Sequence, residues 1–404
     1  MYKSLSVISI LFVFLTTCID PYPLHLSDYE SLLVVEGMVT DCDTSSIILS
    51  RTFRDKNTEP EKVTGASIEV SGDDGTSVRF SETQPGVYIA DPAHFRGIPG
   101  TTYTLHIHNG TDEYISDPVL MLPTPDIDTV TFAKDREFIN NGTEEAQGIR
   151  IYVTSTTYDK NTTYLRWTYE ETWKIKSAYP VAYKYLGHGS IISIPVENYI
   201  CWKEDNSSDI IIHSIPPGAG QRTITRPLTF VDTKNSDRIS VRYHILVKQY
   251  AIPEQAYLFW KNLKQVSEER GDIFDKQPFF VSGNIHSLTR KQEKILGLFQ
   301  ASSVKEKKRY ITRTDILNLD LPLYRSKCKV VEIGPVDFKS PDLPGAQVPT
   351  FDELYNSYTA MGYVFVYPLY NGIYLERLAF ATVSCSDCSI TANPEKPDFW
   401  SDFP

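Results

Sequence analysis

The feature that most constrains this chain is the steady return of short apolar runs, each closed by Gly, Pro, Asn or Asp. Leu165-Arg166-Trp167-Thr168-Tyr169 alternates apolar with polar, as a half-buried strand requires. Asp73-Asp74-Gly75 and Asn109-Gly110 each sit between two such runs and read as hairpin turns, because these dipeptides tolerate positive φ. Strands are predicted over 32–39, 47–51, 66–70, 78–81, 103–108 and 113–116. Further strands are predicted over 129–132, 149–154, 164–175, 191–202, 210–213, 239–249, 363–368 and 374–383. Aromatic residues are 12% of the chain, 25 tyrosines among them, which suits sheets better than helical bundles.

A chain of 404 residues is too long for one ordinary core. Pro118, Pro123 and Pro125 punctuate it after the first strand set, so a boundary is placed there. The expected fold is mainly β. An immunoglobulin- or transthyretin-like β-sandwich occupies 31–120, and a larger β-rich domain with one or two packed helices occupies 121–404. A helix is predicted over 253–270, opened by Pro253 and stopped by Gly271. Ala256, Phe259, Leu263 and Val266 fall on one face, which is expected to pack on the second sheet. Thr350 and Glu353 form a capping box that starts a second, short helix.

The N-terminus indicates export. Lys3 is followed by an apolar stretch far short of the ~20 residues a bilayer crossing needs, which reads as a signal peptide over 1–17. It ends at Leu15-Thr16-Thr17-Cys18, which resembles the lipobox that precedes an acylated cysteine. Cys18 is therefore the expected lipidation site, and 18–30 the tether. Acyl chains contribute ~0.8 kcal/mol per buried CH₂, so several of them hold a protein stably on a membrane.

In an oxidising compartment Cys201, Cys328, Cys385 and Cys388 are expected to form two disulfides, in any of three pairings. Cys42, alone in Asp41-Cys42-Asp43, is the expected free thiol. A four-thiolate zinc site on the other four cysteines is the less favoured reading. The formal charge of −11 argues against nucleic acid as a partner. Hydrolase, phosphate-loop, dinucleotide and zinc-protease signatures are absent. Gly187-His188-Gly189-Ser190 reads as a turn rather than a catalytic pair. His106-x-His108 reads as a polar outer face, although Glu113 across the hairpin could complete a metal site. No catalytic residue, metal site or cofactor is therefore expected.

Longer runs carry a resemblance. Val241-Arg242-Tyr243-His244-Ile245-Leu246-Val247-Lys248-Gln249-Tyr250 leads to Gln255-Ala256-Tyr257-Leu258-Phe259-Trp260. Gly283-Asn284-Ile285-His286, Gly297-Leu298-Phe299-Gln300-Ala301-Ser302-Ser303 and the closing Lys396-Pro397-Asp398-Phe399-Trp400 follow. With Cys18-Ile19-Asp20-Pro21-Tyr22 and Val34-Val35-Glu36-Gly37, the whole mature chain resembles the family catalogued as domain of unknown function 4249. That resemblance implies an outer-membrane lipoprotein often encoded beside a TonB-dependent transporter, with no established catalytic residues. The expected function is a non-enzymatic surface lipoprotein, lipid-anchored in the outer membrane, that serves a TonB-dependent β-barrel transporter as accessory or ligand-capture partner. A freestanding adhesin or glycan-binding lipoprotein is the alternative.

Overall fold

The computed structural model describes residues 31–42, 44–52, 59–140, 142–158, 163–218, 220–268, 281, 283–338 and 347–402. The signal peptide 1–17, the lipidation site Cys18, the tether to residue 30 and the helix stop at Gly271 lie outside the described residues. The chain is mainly β, and its strands form two sandwiches and a smaller appended sheet.

The first sandwich is a ten-stranded sheet folded back on itself. Leu33–Thr40 pairs with Ser46–Arg51, and the predicted hairpins Ser67–Gly72/Ser77–Gln84 and Thr102–Asn109/Asp112–Ser116 are both present. Alternation along these strands sends Val35, Leu49, Ile68, Leu105 and Tyr114 into one core. The strand set of 31–120 does not close this sheet. Its two ends are Ile285–Ser287 and Ile295–Ser302, contributed from more than 160 residues later. Leu33–Thr40 pairs in parallel with Ile295–Ser302 from Leu33↔Ile295 to Thr40↔Ser302. The predicted boundary near 120 is amended accordingly, because Leu33–Thr40 has a second edge whose backbone groups need partners.

The second sandwich packs two sheets face to face. One holds Arg222–Asp232, Glu144–Thr157 and Ile127–Ile139. The other holds Ile200–Asn206 and Ile211–Ile215 beside Thr163–Lys176, then Arg242–Ile252 and Val304–Thr312. Ile149, Ile151, Val153 and Leu228 from the first meet Leu165, Trp167, Ile245 and Val247 from the second. Gln249 is fully buried, and its carbonyl accepts from Ser155 and from the Trp167 indole at 2.7 Å. The predicted strand 191–202 is two strands, Ser190–Ser193 and Ile200–Asn206, because Pro195 cannot donate to a ladder. The proline-marked boundary is not a loose linker. The Thr124 hydroxyl donates to Ser303 O at 2.6 Å and accepts from Ala251 N at 2.8 Å, and Pro125 O accepts from the Gln249 amide.

Between the sandwiches runs the helix Glu254–Glu268, with Ala256 buried. The third unit is a sheet of Val331–Ile333, Tyr374–Thr382 and Tyr363–Asn371, covered by the helix Phe351–Ala360 and the hairpin Tyr183–Gly187/Ser190–Ser193. Thr350 caps that helix through the predicted box with Glu353. Disulfides Cys201–Cys388 and Cys328–Cys385 tie the unit's surroundings together, and Cys42 is exposed and belongs to neither bridge.

The C-terminal segment docks on the outer face of the second sandwich. Trp400 is buried against Trp202 and Tyr310, and Asp402 accepts from Lys174 and Lys396, each at 2.9 Å. Beneath it His244 is 2% exposed, tilted against Tyr310 and Phe399, and neither ring nitrogen has a hydrogen-bond partner. Burial, then the charges of Lys308 and Arg242, push the imidazole down from 6.5 to about 4. The folded state thus favours neutral His244. Its contribution is complete above pH 6.5 and is lost as pH falls toward 4, a window worth up to about 3 kcal/mol at ~1.4 kcal/mol per unit. We expect the thermal midpoint to fall over that window, and His244→Phe, which fits the same aromatic stack, to flatten the fall. An unchanged pH profile in the variant would refute the assignment.

Candidate functional site

The helix Glu254–Glu268 does not lie flush against the sheets on either side of it. Ala256 is buried, but Phe259, Trp260, Leu263 and Val266 are only half-buried. The predicted apolar face therefore does not simply pack on the second sheet; part of it roofs a cavity of about 580 Å³. One wall is the outward face of the first sandwich, where Val34, Met38, Ile48, Leu296 and Leu298 project away from that sandwich's own core. The second wall is Phe259, Trp260 and Leu263 of the helix, and the third is Arg166 from Thr163–Lys176.

Alternation explains why these side chains converge. Leu165, Trp167 and Tyr169 point into the second sandwich, so Arg166 points the other way, toward the helix. On the first sandwich Val35 and Val39 are buried, which leaves Val34, Glu36 and Met38 facing outward. The Trp260 indole donates to Gln300 Oε1 at 2.9 Å, which fixes the ring's position. The Arg166 guanidinium carbon lies 4.1 Å from the centroid of the Trp260 ring and 5.7 Å from that of Tyr250. Such cation–π contacts are worth up to ~2 kcal/mol when desolvated. Among the described residues Arg166 has no carboxylate partner and no hydrogen-bond acceptor; Glu36 is exposed at the rim. Burial pushes the Arg166 pKa down, and Tyr250 opposes that shift. An arginine nevertheless stays charged. The result is a half-buried cation facing a largely apolar chamber, set against the Trp260 and Tyr250 rings and without an acceptor among the described residues.

His188 heads an exposed turn, and its ring meets Asp352 at 3.1 Å rather than Ser190. His108 reaches Glu113 across the hairpin at 3.5 Å, but His106 bonds Ser71, and no cluster of three potential metal ligands exists among the described residues. Glu171 is a buried carboxylate that the sequence reading missed. It accepts from Tyr243 Oη and pairs with Arg238 at 3.3 Å; burial raises its pKa while Tyr243 and Arg238 oppose that. This arrangement saturates the carboxylate inside the second sandwich. Among the described residues no helix is long and apolar enough to cross a membrane.

The profile of the family described as Domain of unknown function (DUF4249) matches residues 19–308. The chain belongs to that family. The DUF4249 match is shorter than the whole-chain resemblance read from sequence. It contains the first sandwich with its late-arriving strands, the helix and Arg166, and it ends inside Val304–Thr312, before Cys328, Cys385, Cys388 and the third unit. The chamber therefore lies wholly inside the DUF4249 span. No curated protein matches the chain.

Proposed function

We propose that this protein is a non-enzymatic, lipid-anchored envelope protein that captures a small ligand in the chamber between its two sandwiches and works with a TonB-dependent β-barrel transporter. The single observation that carries the capture reading is the chamber itself. Its volume falls in the range of about 300–1,000 Å³ usual for small-molecule sites, and its lining is apolar with a few convergent polar groups. Among the described residues that lining holds one carboxylate, Glu36, and one cation, Arg166. Among those residues no nucleophile is paired with a general base, as hydrolysis or group transfer would need, which supports the non-enzymatic reading. Lipidation at Cys18, placement in the outer membrane and the transporter partner follow from the lipobox and from the family resemblance.

The adhesin reading has one observation in its favour. Tyr370, Ile373 and Tyr374, at the tip of the Tyr363–Asn371/Tyr374–Thr382 hairpin, are 52%, 86% and 75% exposed. Large apolar side chains grouped on a turn suit a partner surface. Mild-detergent isolation of the native protein, with co-purifying chains identified by mass spectrometry, separates the two readings. A large outer-membrane β-barrel in near-equal amount is the expected result. Recovery of the lipoprotein alone, under conditions that keep other envelope complexes intact, would overturn the transporter partnership and favour the adhesin.

A further inference from the structure

Building on the capture reading, we infer that the chamber's ligand is a small carboxylate-bearing amphiphile, whose carboxylate is taken by Arg166 and whose apolar body fills the space under Trp260. Three independent observations lead there.

The first is the state of Arg166. Arg166 is half-buried, and a guanidinium partly withdrawn from water is ordinarily matched by a carboxylate or by carbonyl oxygens, since desolvated N–H groups without acceptors are costly. Here the described residues supply two aromatic faces, Trp260 and Tyr250, and no acceptor. The rings hold the guanidinium plane and leave its edges available. Two parallel N–H groups of such an edge match the two oxygens of a planar carboxylate. The chain carries a net charge of −11, yet among the described residues no carboxylate is paired with Arg166, and Glu36 stands exposed at the rim.

The second is the character of the remaining lining. Val34, Met38, Leu263, Leu296 and Leu298 offer no hydrogen bonds, so they reward an apolar body and penalise a polyhydroxylated one. The chamber thus offers one cationic point, Arg166, beside mainly apolar walls, with Glu36 exposed at the rim, Ser46 in the lining and Gln300 committed to Trp260, a division that suits an amphiphile. A sugar would strand many hydroxyls against these walls.

The third is the fixing of Trp260. Its indole N–H is committed to Gln300, itself 4% exposed, so the ring stands in place before any ligand arrives. Preorganisation of this kind reduces the ordering cost of binding.

The test uses the full chain and three probes: decanoate, the uncharged decanol, and the neutral fluorophore N-phenyl-1-naphthylamine. Calorimetry should find decanoate bound about ten- to a hundredfold more tightly than decanol, the margin a charge-assisted hydrogen-bond pair supplies. Arg166→Gln should bring decanoate down to the decanol level and leave decanol unchanged. Arg166→Lys, a point charge without the fork, should fall between them. Circular dichroism confirms that each variant is folded, and the unchanged decanol affinity controls for chamber shape. Equal binding of decanoate and decanol by the wild type, with the fluorophore also bound, would overturn the ligand class and leave capture of neutral apolar molecules standing. Failure of all three probes to bind would overturn the capture reading itself.

Discussion

Replacing Cys201 and Cys388 together by alanine is expected to cost the protein about 5 kcal/mol, the larger of the two disulfide effects by the chain-entropy argument. The bridge joins residues 187 apart in sequence, whereas Cys328–Cys385 spans 57 and is expected to contribute about 4 kcal/mol by the same argument. Position adds to length. Cys201 lies in Ile200–Asn206, a strand that pairs with Thr163–Lys176, and is fully buried; Cys388 is 3% exposed and follows the last strand of the third unit. The bridge therefore fastens the end of the chain to a strand of the second sandwich, beside the isolated pairing of Trp202 with Asn393. Urea unfolding under non-reducing conditions would measure the loss. Peptide mapping of the wild type without reductant should recover the linked pairs Cys201/Cys388 and Cys328/Cys385. A midpoint that moves by less than the equivalent of ~0.5 kcal/mol, the scale of a neutral surface change, would show that the bridge adds nothing the packing does not already supply.

Gly297→Ala is expected to be comparably severe, abolishing folding or costing more than about 4 kcal/mol, beyond the usual range of single substitutions. Gly297 sits in Ile295–Ser302, the strand that returns to pair with Leu33–Thr40, at φ +99°. A Cβ there would lie 1.9 Å from Val35 O and under 3 Å from Val35 C and N. Backbone cannot move aside as a flexible side-chain end can, so the parallel pairing would have to open. Gly283 approaches the same place, since a Cβ on it would meet Gly297 O, so three backbone segments converge here. Gly75 is the matched control. Its φ is +88°, but nothing lies within 4 Å of its Cβ position, so Gly75→Ala carries the conformational cost alone, of order 1 kcal/mol. Thermal melts of the two variants separate close approach from φ strain; similar midpoints would sink the close-approach argument. Gly297 also lines the chamber, so the same tight crossing that closes the first sandwich shapes the proposed binding site.

Much of this architecture is written locally. Alternation marked Leu165-Arg166-Trp167-Thr168-Tyr169 as a half-buried strand, Asp-Gly and Asn-Gly marked the hairpin turns, and the Thr350/Glu353 box marked a helix start, because each signal is decided within a few residues. Strand Arg222–Asp232 escaped notice because its first half alternates Thr with Arg and Ile and Pro227 interrupts it, so the apolar signal of Leu228, Phe230 and Val231 stands in a short remnant. The helix Glu254–Glu268 was legible as an amphipathic element, but the surface it would meet was not. Periodicity reports which face is apolar and says nothing about whether the opposing wall touches it or stands back to leave a chamber.

The sequence by itself determined the β character of the chain, its hairpins, its helix starts and the four cysteines that form the two bridges. Only the tertiary structure decided that Ile285–Ser287 and Ile295–Ser302 complete the first sandwich, and that Arg166 faces a chamber between the sandwiches. The reason is the same in both cases. Parallel pairing across some 260 residues leaves no local turn signature, and the outward position of a strand reads as solvent until another element, folded from elsewhere in the chain, covers it.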